Sequence, residues 1–407
     1  MTTLTADITI IGAGMAGASL VHLLAPARAA GMSVALIDRQ PLQWQDDSDA
    51  RPPSFDGRAT ALSFGTQEIL NQLGLWDAIA SHACPIEHIQ VSDEGRFGQA
   101  HLHASEQGTP ALGYIIENHQ LGQALLRDIV NADDLLQLTP LSVEQVKMNA
   151  DGALLQLSDG RKLQTRLLIM ADGGRSPLMT QLGIQSKRND YGTHALVTQV
   201  ECDQPHNNWA YERFSQDGPI AFLPLHKNQY AVVWTLDADV IDAMLALDEA
   251  TLLAKLQQRI GHRVGCLTRI GSRVSYPLAL VKASEQVRRS LVLLGNAAHS
   301  LHPVAGQGFN LTLRDAASLA EHLNKAALDG LNPGDLNVLE RYLKQQVTDQ
   351  RNTVTASDWL PRLFAQPNAL VACARDGGLL ALAAMPTARR LFARHAMGQG
   401  QRAARIG

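Results

Sequence analysis

Three glycines near the start of the chain have the spacing of a phosphate-binding turn. Gly12, Gly14 and Gly17 form the pattern G-x-G-x-x-G between the β-branched run "DITII" and the helical run "ASLVHLLAPARAAG". In this context the first glycine allows a tight turn, the second lets the backbone approach a pyrophosphate, and the third lets the helix pack on the strand. Asp38 ends the next predicted strand, and its carboxylate can accept hydrogen bonds from ribose hydroxyls. The spacing predicts a dinucleotide site, with a ligand-free glycine turn as the alternative.

Two later stretches also place polar residues or glycines at the end of a predicted strand. The stretch "LLIMADGGRSP" ends a buried strand at Asp172, although composition alone favours an ordinary Asp-Gly turn. The stretch "SLVLLGNAAHSLHPVAGQGFN" ends a strand at Asn296 and has Gly306 and Gly308 before a helix. Ligands of α/β sheets bind at the carboxyl ends of strands and at helix N-termini. We therefore interpret both stretches as further parts of one ligand site.

The same late stretch contains two histidines with a spacing that metal ligands sometimes show. His299 and His302 are three residues apart, but no further ligand cluster and no H-E-x-x-H pattern accompanies them. The sequence therefore predicts no metal site.

Strand and helix patterns divide the chain into an α/β part and a β-rich part. A strand-turn-helix pattern near the start returns around residue 295, whereas strand-like runs dominate residues 190–276. The predicted fold is α/β (α+β), with a Rossmann-like nucleotide domain interleaved with a β-rich substrate domain and followed by a helical C-terminal region. The predicted limits are 1–80, 113–189 and 277–345 for the nucleotide domain, 81–112 and 190–276 for the substrate domain, and 346–407 for the helical region.

Composition excludes several classes of protein. The 407 residues are 45% apolar and 18% charged, with a formal net charge of −4, which disfavours a general nucleic-acid interface. No apolar run is long enough to span a membrane, and the N-terminus lacks a signal-peptide pattern. Four scattered cysteines indicate neither a disulfide framework nor a zinc site. A cytoplasmic protein fits these features best.

The C-terminal segment is unusually basic. It has one acid, Asp376, the apolar stretches "LLALAAM" and "LF", and the arginines Arg375, Arg389, Arg390, Arg394, Arg402 and Arg405. One interpretation is a solvated amphipathic helix packed on the body of the protein. The other is a basic, apolar-faced surface that contacts the anionic inner face of a membrane.

Taken in this order, the three glycine-containing stretches resemble those of the group A flavoprotein aromatic hydroxylases, which have the p-hydroxybenzoate hydroxylase fold. The family has a Rossmann fingerprint, an "ADG" motif and a "GDAAH…P…G-x-G" motif, and the resemblance covers nearly the whole chain. It implies an FAD-dependent monooxygenase that uses NAD(P)H and O₂. In such enzymes NAD(P)H reduces FAD, and a flavin hydroperoxide then oxygenates an electron-rich ring.

The resemblance also implies positions for FAD. The first glycine motif and Asp38 would bind the ADP half, and Asp172 would lie near the pyrophosphate and the nicotinamide route. Asn296 would hydrogen-bond the ribitol, and the isoalloxazine would lie against Gly306, Gln307 and Gly308.

Two further positions are implied by the resemblance, and one position departs from it. Arg58 in "FDGRATAL" would lie near the flavin, and Asn118 in "IIENHQLGQALL" matches another FAD-contacting position. Asn296 stands where the family usually has aspartate. An asparagine keeps an acceptor oxygen but removes one negative charge, so FAD binding is expected and its redox properties are less transferable.

Within the family the chain resembles the ubiquinone-biosynthesis hydroxylases that act on a 2-polyprenyl-6-methoxyphenol and form the 1,4-benzoquinol. The resemblance is carried by "FDGRATAL", "YERFSQDGPIAFLPL", "SYPLAL" and "GNAAHSLHPVAGQGFNLTLRD". Two alternatives remain, namely hydroxylation of a different ring carbon and a non-catalytic prenyl-binding protein of the same fold. Other ubiquinone-biosynthesis enzymes are further candidate partners.

Substrate-contacting residues are expected in the β-rich part. Tyr211 and Arg213 are candidates for polarising the substrate hydroxyl, although each also fits a structural role. Phe222, Pro224 and Leu225 are expected to form an apolar wall beside a prenylated ring. Pro303 is expected to shape the loop near the flavin.

Overall fold

The computed structural model describes residues 3–42, 58–215, 217–301, 306–365 and 384–400, together with residues 377, 378, 380, 381 and 404. Pro303, His302, Arg375, Arg402 and Arg405 lie outside these ranges. The strands are, in chain order, β1 (Thr3–Ile11), β2 (Val34–Ile37), β3 (Ala59–Ser63), β4 (Cys84–Ile86), β5 (His88–Asp93), β6 (Gln99–His103), β7 (Gly113–Glu117), β8 (Leu135–Leu138), β9 (Val143–Asn149), β10 (Gly152–Leu157), β11 (Lys162–Met170), β12 (Ser186–Cys202), β13 (Trp209–Phe214), β14 (Ile220–Pro224), β15 (Gln229–Asp237), β16 (Leu267–Ile270), β17 (Val274–Ala283), β18 (Val287–Arg288), β19 (Leu291–Leu293) and β20 (His299–Ser300).

The α-helices lie between these strands and after them. They are, in chain order, α1 (Met15–Leu23), α2 (Ala25–Ala29), α3 (Phe64–Gln72), α4 (Trp76–Ile79), α5 (Ala104–Gln107), α6 (Asn118–Val130), α7 (Leu178–Gln181), α8 (Ile241–Leu245), α9 (Glu249–Ile260), α10 (Gln307–Leu328), α11 (Leu336–Ala365) and α12 (Pro386–Ala396). The first predicted helix is thus two helices. Pro26 stands in the first turn of α2, where its missing N–H is tolerated, and helix α1 ends before it.

The first sheet has eight strands and a parallel centre. Its order is β18-β19-β11-β1-β2-β8, and β9 and β10 continue from β11 as an antiparallel hairpin. The central strands are buried on both faces, which explains their nearly continuous apolar sequences. On one face Ile8 and Ile10 pack with apolar residues of α1, α6 and α10. On the other face Leu168 and Met170 pack against the hairpin and α7.

The second sheet has nine strands and is mostly antiparallel. Its order is β20-β17-β12-β15-β14-β13-β5-β6, with β16 paired to β12. Helix α9 covers one of its faces because Leu252, Leu256 and Ile260 form the apolar stripe of this amphipathic helix. Asp248 fixes the start of the helix by accepting a hydrogen bond from the Thr251 N–H. The opposite face is therefore available to a ligand.

The strands of the two large sheets are interleaved along the chain. The first sheet takes strands from residues 3–37, 135–170 and 287–293, and the second takes them from 88–103, 186–283 and 299–300. The small sheet β3-β7-β4 is formed by residues between these segments. This arrangement confirms the α/β (α+β) fold class. The exact domain limits given above stay a prediction.

Helices close the C-terminal part of the molecule. Helix α11 packs against α10, and α12 packs on the body of the protein through Ala393 and the following Met397, which contact Leu102 and Leu112. No helix in the described ranges is long and apolar enough to cross a membrane.

Candidate cofactor and substrate site

The carboxyl ends of four parallel strands meet at one edge of the first sheet. Ile11 on β1 is level with Ile37 on β2 and with Met170 on β11, and Met170 is level with Leu293 on β19. The residues that follow these strand ends include the glycine turn, Asp38, Asp172 and Asn296. Strand register thus brings together three stretches that are far apart in the sequence, at the edge where α/β sheets bind ligands.

The glycine turn after β1 is too crowded for side chains. A Cβ at Gly17 would lie 1.8 Å from the Gly12 carbonyl oxygen, so helix α1 can only approach the turn with glycine there. Gly12 has φ of +104°, and a Cβ on it would lie 2.6 Å from the carbonyl oxygen of Ala171. Gly14 is the N-cap of α1, whose first N–H groups lack partners within the helix. The turn therefore presents a helix N-terminus suited to an anion.

Asp38 holds the same turn from the neighbouring strand. Its carboxylate accepts hydrogen bonds from the N–H of Ala13 at 2.6 Å and from the N–H of Gln40 at 2.8 Å. A carboxylate has about four acceptor positions, so these two bonds leave capacity for ribose hydroxyls.

The turn after β11 packs against the loop after β19. One carboxylate oxygen of Asp172, Oδ1, accepts the Gly174 N–H at 3.0 Å, whereas Oδ2 is buried with no hydrogen-bond partner among the described residues. A Cβ on Gly173 would lie 4.0 Å from the Asn296 Cβ, and one on Gly174 would lie 3.5 Å from the Ala297 Cα. Asp172 and Asn296 thus flank one small region, and the unpaired carboxylate oxygen is a polar group that a ligand can satisfy.

Helix α10 begins at the other side of this region. Gly306 is its N-cap with φ of +60°, and a Cβ there would lie 2.7 Å from the Ala61 Cβ. A Cβ on Gly308 would meet no protein atom within 4 Å, so the backbone at this position is open to a ligand.

Sequence reasoning missed Asn310, which ties this helix start to β3 and α3. Its Oδ1 accepts from the Ser63 N–H and the Thr66 hydroxyl, each at 2.8 Å. Its Nδ2 donates to the carbonyls of Ala61 and Gly306, each at 2.9 Å. The Asn310 side chain is buried and uses all four bonds, so it fixes the backbone that carries Gly306 and Gly308. Asn310 could have been found from the sequence, because it lies two residues after Gly308 in the third glycine-containing stretch.

Arg58 and Asn118 are adjacent. The Asn118 N–H donates to the Arg58 carbonyl at 2.7 Å, and the Thr60 hydroxyl donates to the Asn118 side-chain oxygen at 2.6 Å. The Arg58 guanidinium lies 4.7 Å from the centroid of the Tyr276 ring, within range of a cation–π interaction. Tyr276 belongs to "SYPLAL", so two of the stretches that carried the resemblance are in contact.

His299 has a structural explanation. Its Nε2 lies 3.3 Å from Oδ2 of Asp315, and both side chains are buried. The other oxygen of Asp315 accepts from the Gln350 amide at 3.0 Å. Across the part of the chain that the structure describes, no group of three or more His, Cys, Asp or Glu residues is arranged to hold a metal ion.

One cavity of about 1400 Å³ connects these features to the second sheet. This volume exceeds the roughly 300–1,000 Å³ typical of a single small-molecule site. Gly17 lies beneath the glycine turn, and the predicted cofactor positions that line the cavity are Gly12, Gly14, Asp38, Arg58, Asn118, Asp172, Asn296, Gly306, Gln307 and Gly308. The cavity therefore has room for a dinucleotide and a second molecule.

The second sheet provides an apolar wall of this cavity. Its strands β5, β6, β13, β14 and β15 contribute alternate residues, as expected when one face of a sheet lines a site. The residues that face the cavity are Ile89, Val91, Ala100, Leu102, Ala210, Glu212, Phe214, Ala221, Leu223, Val233 and Thr235.

Of the residues predicted to contact the substrate, all the described ones except Tyr211 lie outside this wall, which corrects the expectation for it. Arg213, Phe222, Pro224 and Leu225 are not among the described residues that line the cavity, and Phe222 is fully buried in the core under α9. Tyr211 borders the cavity, but its hydroxyl donates to the Arg263 carbonyl at 3.1 Å. For Arg213, Phe222 and Pro224 the physical reason is strand alternation, because neighbouring residues of a strand point to opposite faces. Leu225 follows the end of β14 and is buried in an apolar cluster with Ile86 and Ala231.

Glu212 is the acidic residue of the wall and was missed. It lies opposite Val91 of β5 and Ala221 of β14, and it is half-buried. Burial in these apolar surroundings raises the pKa of its carboxyl to about 8. Glu212 could have been found from the sequence "WAYERF", because it lies two residues from both Ala210 and Phe214 and therefore on the same face of the strand.

The C-terminal helix borders the cavity. Phe392 and Ala396 line it, and the Gln307 amide donates to the Ala396 carbonyl at 3.4 Å. Arg389 forms a bidentate ion pair with Glu106, with both N–O distances at 2.9 Å. One arginine of the basic segment is therefore used to hold the helix in place.

Comparison with known proteins identifies the family. A sequence profile described as "FAD binding domain" matches residues 5–346. The chain is 37% identical to the ubiquinone hydroxylase UbiL of Rhodospirillum rubrum over 97% of this chain and 90% of that protein. It is 31% identical to the ubiquinone hydroxylase UbiM of Neisseria meningitidis over 97% of this chain and 85% of that protein.

The fold matches solved structures as well. The p-nitrophenol 4-monooxygenase PnpA of Pseudomonas putida superposes with a TM-score of 0.77 at 18% identity, covering 99% of this chain and 100% of that one. The structural match shows the fold, and the profile match over residues 5–346 shows that the cofactor is FAD. The chain belongs to the family of FAD-binding monooxygenases that includes the ubiquinone hydroxylases.

Proposed function

We propose that the protein hydroxylates a 2-polyprenyl-6-methoxyphenol to the 1,4-benzoquinol in ubiquinone biosynthesis, with NAD(P)H and O₂ as co-substrates. The observation that carries the proposal is the single cavity of about 1400 Å³, which joins the strand ends of a dinucleotide fold to an apolar sheet wall. FAD needs the first part, and a prenylated ring needs the second. The resemblance to ubiquinone-biosynthesis hydroxylases supports the choice of ring.

The residues of the first part fit FAD. The glycine turn and the N-terminus of α1 would hold the pyrophosphate, and Asp38 would accept from the ribose while it keeps its bonds to the turn. The buried, unpaired Oδ2 of Asp172 faces the same region and suits a hydroxyl or an N–H of the cofactor or of a visiting nicotinamide nucleotide. When bound, FAD supplies electron transfer from NAD(P)H and the activation of O₂.

The flavin end would lie between the other predicted positions. Asn296 would bind the ribitol, and the isoalloxazine would lie over Gly308, where the open backbone leaves space for a flat ring. Arg58 and Asn118 line the cavity from the side of β3 and β7. These residues would orient the flavin, and the apolar sheet would exclude water from it.

The apolar wall suits the prenyl chain. Leu102 on β6 and Ile89 on β5 are cross-strand partners, and Ala210 on β13 and Leu223 on β14 continue this apolar strip, so isoprene units can replace water there at a gain of about 25 cal/mol per Å² buried. Other enzymes of ubiquinone biosynthesis are proposed as partners that deliver the substrate or remove the product.

Two alternatives make different predictions. A hydroxylase of another ring carbon would use the same cavity and cofactor. A non-catalytic prenyl-binding protein would bind the lipid without consuming NAD(P)H.

A direct test uses the purified, FAD-loaded protein with 2-methoxy-6-prenylphenol, a short soluble analogue. We expect NAD(P)H oxidation that depends on the analogue and a product with one added oxygen para to the hydroxyl, identified by mass spectrometry and NMR. Oxygen at another carbon would favour the first alternative. Tight binding without any oxygenation, or protein that takes up no FAD, would favour the second.

A genetic test uses lipid extracts of a strain that lacks the protein. Accumulation of 2-polyprenyl-6-methoxyphenol is the expected result. Accumulation of a later intermediate would contradict the proposed ring position.

We also propose a cytoplasmic protein that contacts the inner face of the membrane through α12. Leu391 and Met385 are 62% and 56% exposed, and the exposed Arg390 and Arg394 lie on the same helix. Apolar and basic side chains together favour an anionic lipid surface. Flotation with phosphatidylglycerol vesicles should fall in a Leu391→Ser/Arg390→Glu/Arg394→Glu variant and should stay low with phosphatidylcholine vesicles. Equal flotation of the variant would contradict the contact.

A further inference from the structure

Resting on the function proposed above, we propose that Glu212 is a catalytic residue that hydrogen-bonds the substrate's phenolic hydroxyl and accepts its proton. It also selects neutral phenols over rings that carry an anionic group.

The position of Glu212 is the first support. It is the third-last residue of β13, in the interior of the wall, with Val91 as its partner on β5 and Ala221 as its partner on β14. The next residues along this row are Ala100 on β6 and Val233 on β15. The carboxyl thus rises from the centre of a five-strand surface rather than from a loop, and strands hold such a group precisely.

The neighbours of Glu212 leave space for a ring. Ala100 and Ala221 lie in its row, and Ala210 precedes it on the same face of β13. Three methyl side chains next to a carboxyl form a shallow, flat area. Larger residues, Phe214 and Leu223, lie further along the same face. A methoxyphenol fits against such a surface with its hydroxyl at the carboxyl.

Glu212 has no protein partner among the described residues, yet it borders the cavity. A half-buried carboxyl among apolar side chains is partly desolvated, so a hydrogen-bond donor of a ligand in the cavity would stabilise it. A phenolic hydroxyl provides one donor and thus matches one carboxylate. A benzoate-type anion provides none and would be repelled by the ionised group.

The charges around Glu212 are few. On the opposite face of β13 lie Tyr211 and Arg213, and the end of β5 carries Asp93, which is buried and lies 3.8 Å from the guanidinium of Arg96. Across the cavity, Arg58 lies against Tyr276. Burial alone accounts for the raised pKa of Glu212, about 8, and that value lies near the working range of a general base.

The proton transfer is balanced within the site. The phenol O–H bond breaks, its electron pair stays on the phenolic oxygen, and the proton binds a carboxylate oxygen of Glu212. The charge of the complex is unchanged. The phenolate has more electron density at its ortho and para carbons, which favours attack on an electrophilic oxygen. When the product ring regains its aromatic form, the C–H bond of the oxygenated carbon breaks, its electron pair re-forms the ring and its proton leaves to the oxygen atom that remains on the oxidant. The proton held by Glu212 returns to the phenolic oxygen.

The test uses FAD-loaded protein and two probes, 2-methoxy-6-prenylphenol and its methyl ether, which lacks the hydroxyl. The variants are Glu212→Gln and Glu212→Asp, and Glu201→Gln is the control because Glu201 lies on β12 in surface contacts with Gln229 and Arg269. Flavin absorbance reports FAD occupancy, and its perturbation in the absence of NAD(P)H reports probe binding. Product formation is then followed from pH 6 to pH 9.5.

In the unmodified protein kcat/KM should rise with pH and level off above the pKa of Glu212, and the phenol should bind at least about tenfold more tightly than the ether. Glu212→Gln should keep FAD, lower kcat by on the order of 10²-fold or more, and lose the pH dependence. Glu212→Asp should regain part of the rate and the pH dependence, and Glu201→Gln should behave as the unmodified protein.

If the unmodified protein is active and Glu212→Gln has the same kcat and pH profile, the role of Glu212 is overturned but the proposed function is not. An unmodified protein that binds FAD but neither binds nor oxygenates the phenol would overturn the proposed function and this role together. If Glu212→Gln fails to retain FAD, the proposal is tested with Glu212→Asp instead. The proposal would then be overturned if the pH profile of product formation and the ratio of affinities for the phenol and the ether were the same in Glu212→Asp as in the unmodified protein.

Discussion

Glu212 on β13 and Ala221 on β14 are direct cross-strand partners, and both side chains face the cavity. A carboxyl beside a methyl group has no neighbour to stabilise its charge, and burial raises its pKa from the ordinary 4.5 to about 8. Between pH 4.5 and about pH 8, the folded protein therefore keeps a proton on Glu212 that the unfolded chain has already released. The stability that comes from the neutral carboxyl is complete below the unfolded pKa and is lost as pH rises through the folded pKa.

Replacing Glu212 by glutamine should remove this pH dependence. Above pH 8 the unmodified protein carries a buried charge, and the variant should be more stable there by on the order of 3 kcal/mol. Near pH 5 the two should be similar. Thermal unfolding of both proteins from pH 5 to pH 9 measures the difference. Parallel curves across this range would show that the carboxyl is ionised in the folded state without penalty.

Replacing Gly17 by alanine should disrupt the glycine turn. The new Cβ would lie 1.8 Å from the Gly12 carbonyl oxygen, and backbone rather than a flexible side chain would have to move. We expect destabilisation of about 3 kcal/mol or more, at or beyond the upper end of ordinary overpacking, and loss of FAD. Unfolding midpoints and flavin absorbance measure the two effects.

Gly308→Ala is the matched control for that variant, because its Cβ meets no protein atom within 4 Å. Without FAD its stability should be unchanged or higher by about 0.5 kcal/mol, since alanine is the better helix former. Its affinity for FAD should fall, because the methyl group enters the cavity. Full FAD affinity in this variant would place the flavin away from the start of α10.

Asn296→Asp should leave FAD bound but make it harder to reduce. A negative charge disfavours the added electrons, and at an effective dielectric constant of about 20 the midpoint potential should fall by on the order of tens of millivolts. Spectroelectrochemistry of both proteins measures the potential, and FAD titration serves as the control for binding. Equal potentials would show that the departure from the family pattern is electrostatically neutral.

The ion pair between Arg389 and Glu106 should hold α12 at the cavity. Both side chains are partly buried, at 18% and 28% exposure, and the pair is bidentate. Arg389→Ala should increase tryptic cleavage at Arg390 and Arg394, and a double-mutant cycle with Glu106→Ala should give a coupling of about 1 kcal/mol. Additive effects of the two substitutions would show that the apolar contacts of α12 suffice.

That the three glycine-containing stretches meet at one end of the cavity could be predicted because their residues obey local rules. The glycine turn needs glycines wherever it occurs, and Asp38, Asp172 and Asn296 each follow a recognisable buried strand. Parallel strands align their carboxyl ends, so the sequence pattern leads directly to the shared edge. Asn310 was missed because its role depends on Ser63 and Thr66, which are distant in sequence.

The residues of the apolar wall could not be predicted because both faces of its strands carry apolar residues. On β14 the aromatic Phe222 fills the core under α9, while Ala221 and Leu223 face the cavity. The prediction chose the larger side chains and on β14 was one residue out of phase, because it named Phe222 rather than Ala221 or Leu223. A shift of one residue exchanges the two faces of a strand, and only the position of α9 shows which face is free.

The order of the strands in the first sheet has a consequence for synthesis of the protein. β19 pairs with β11 but is made about 120 residues later, which corresponds to roughly 6–24 s on a ribosome at the usual rate. Throughout that interval this edge of β11 is paired with β10 only over residues 162–165, residues 168–170 have no neighbouring strand there, and Asn296 and the start of α10 do not yet exist. The predicted FAD positions are therefore complete only once synthesis has passed Gly308, so capture of the cofactor would be a late event in the folding of this chain.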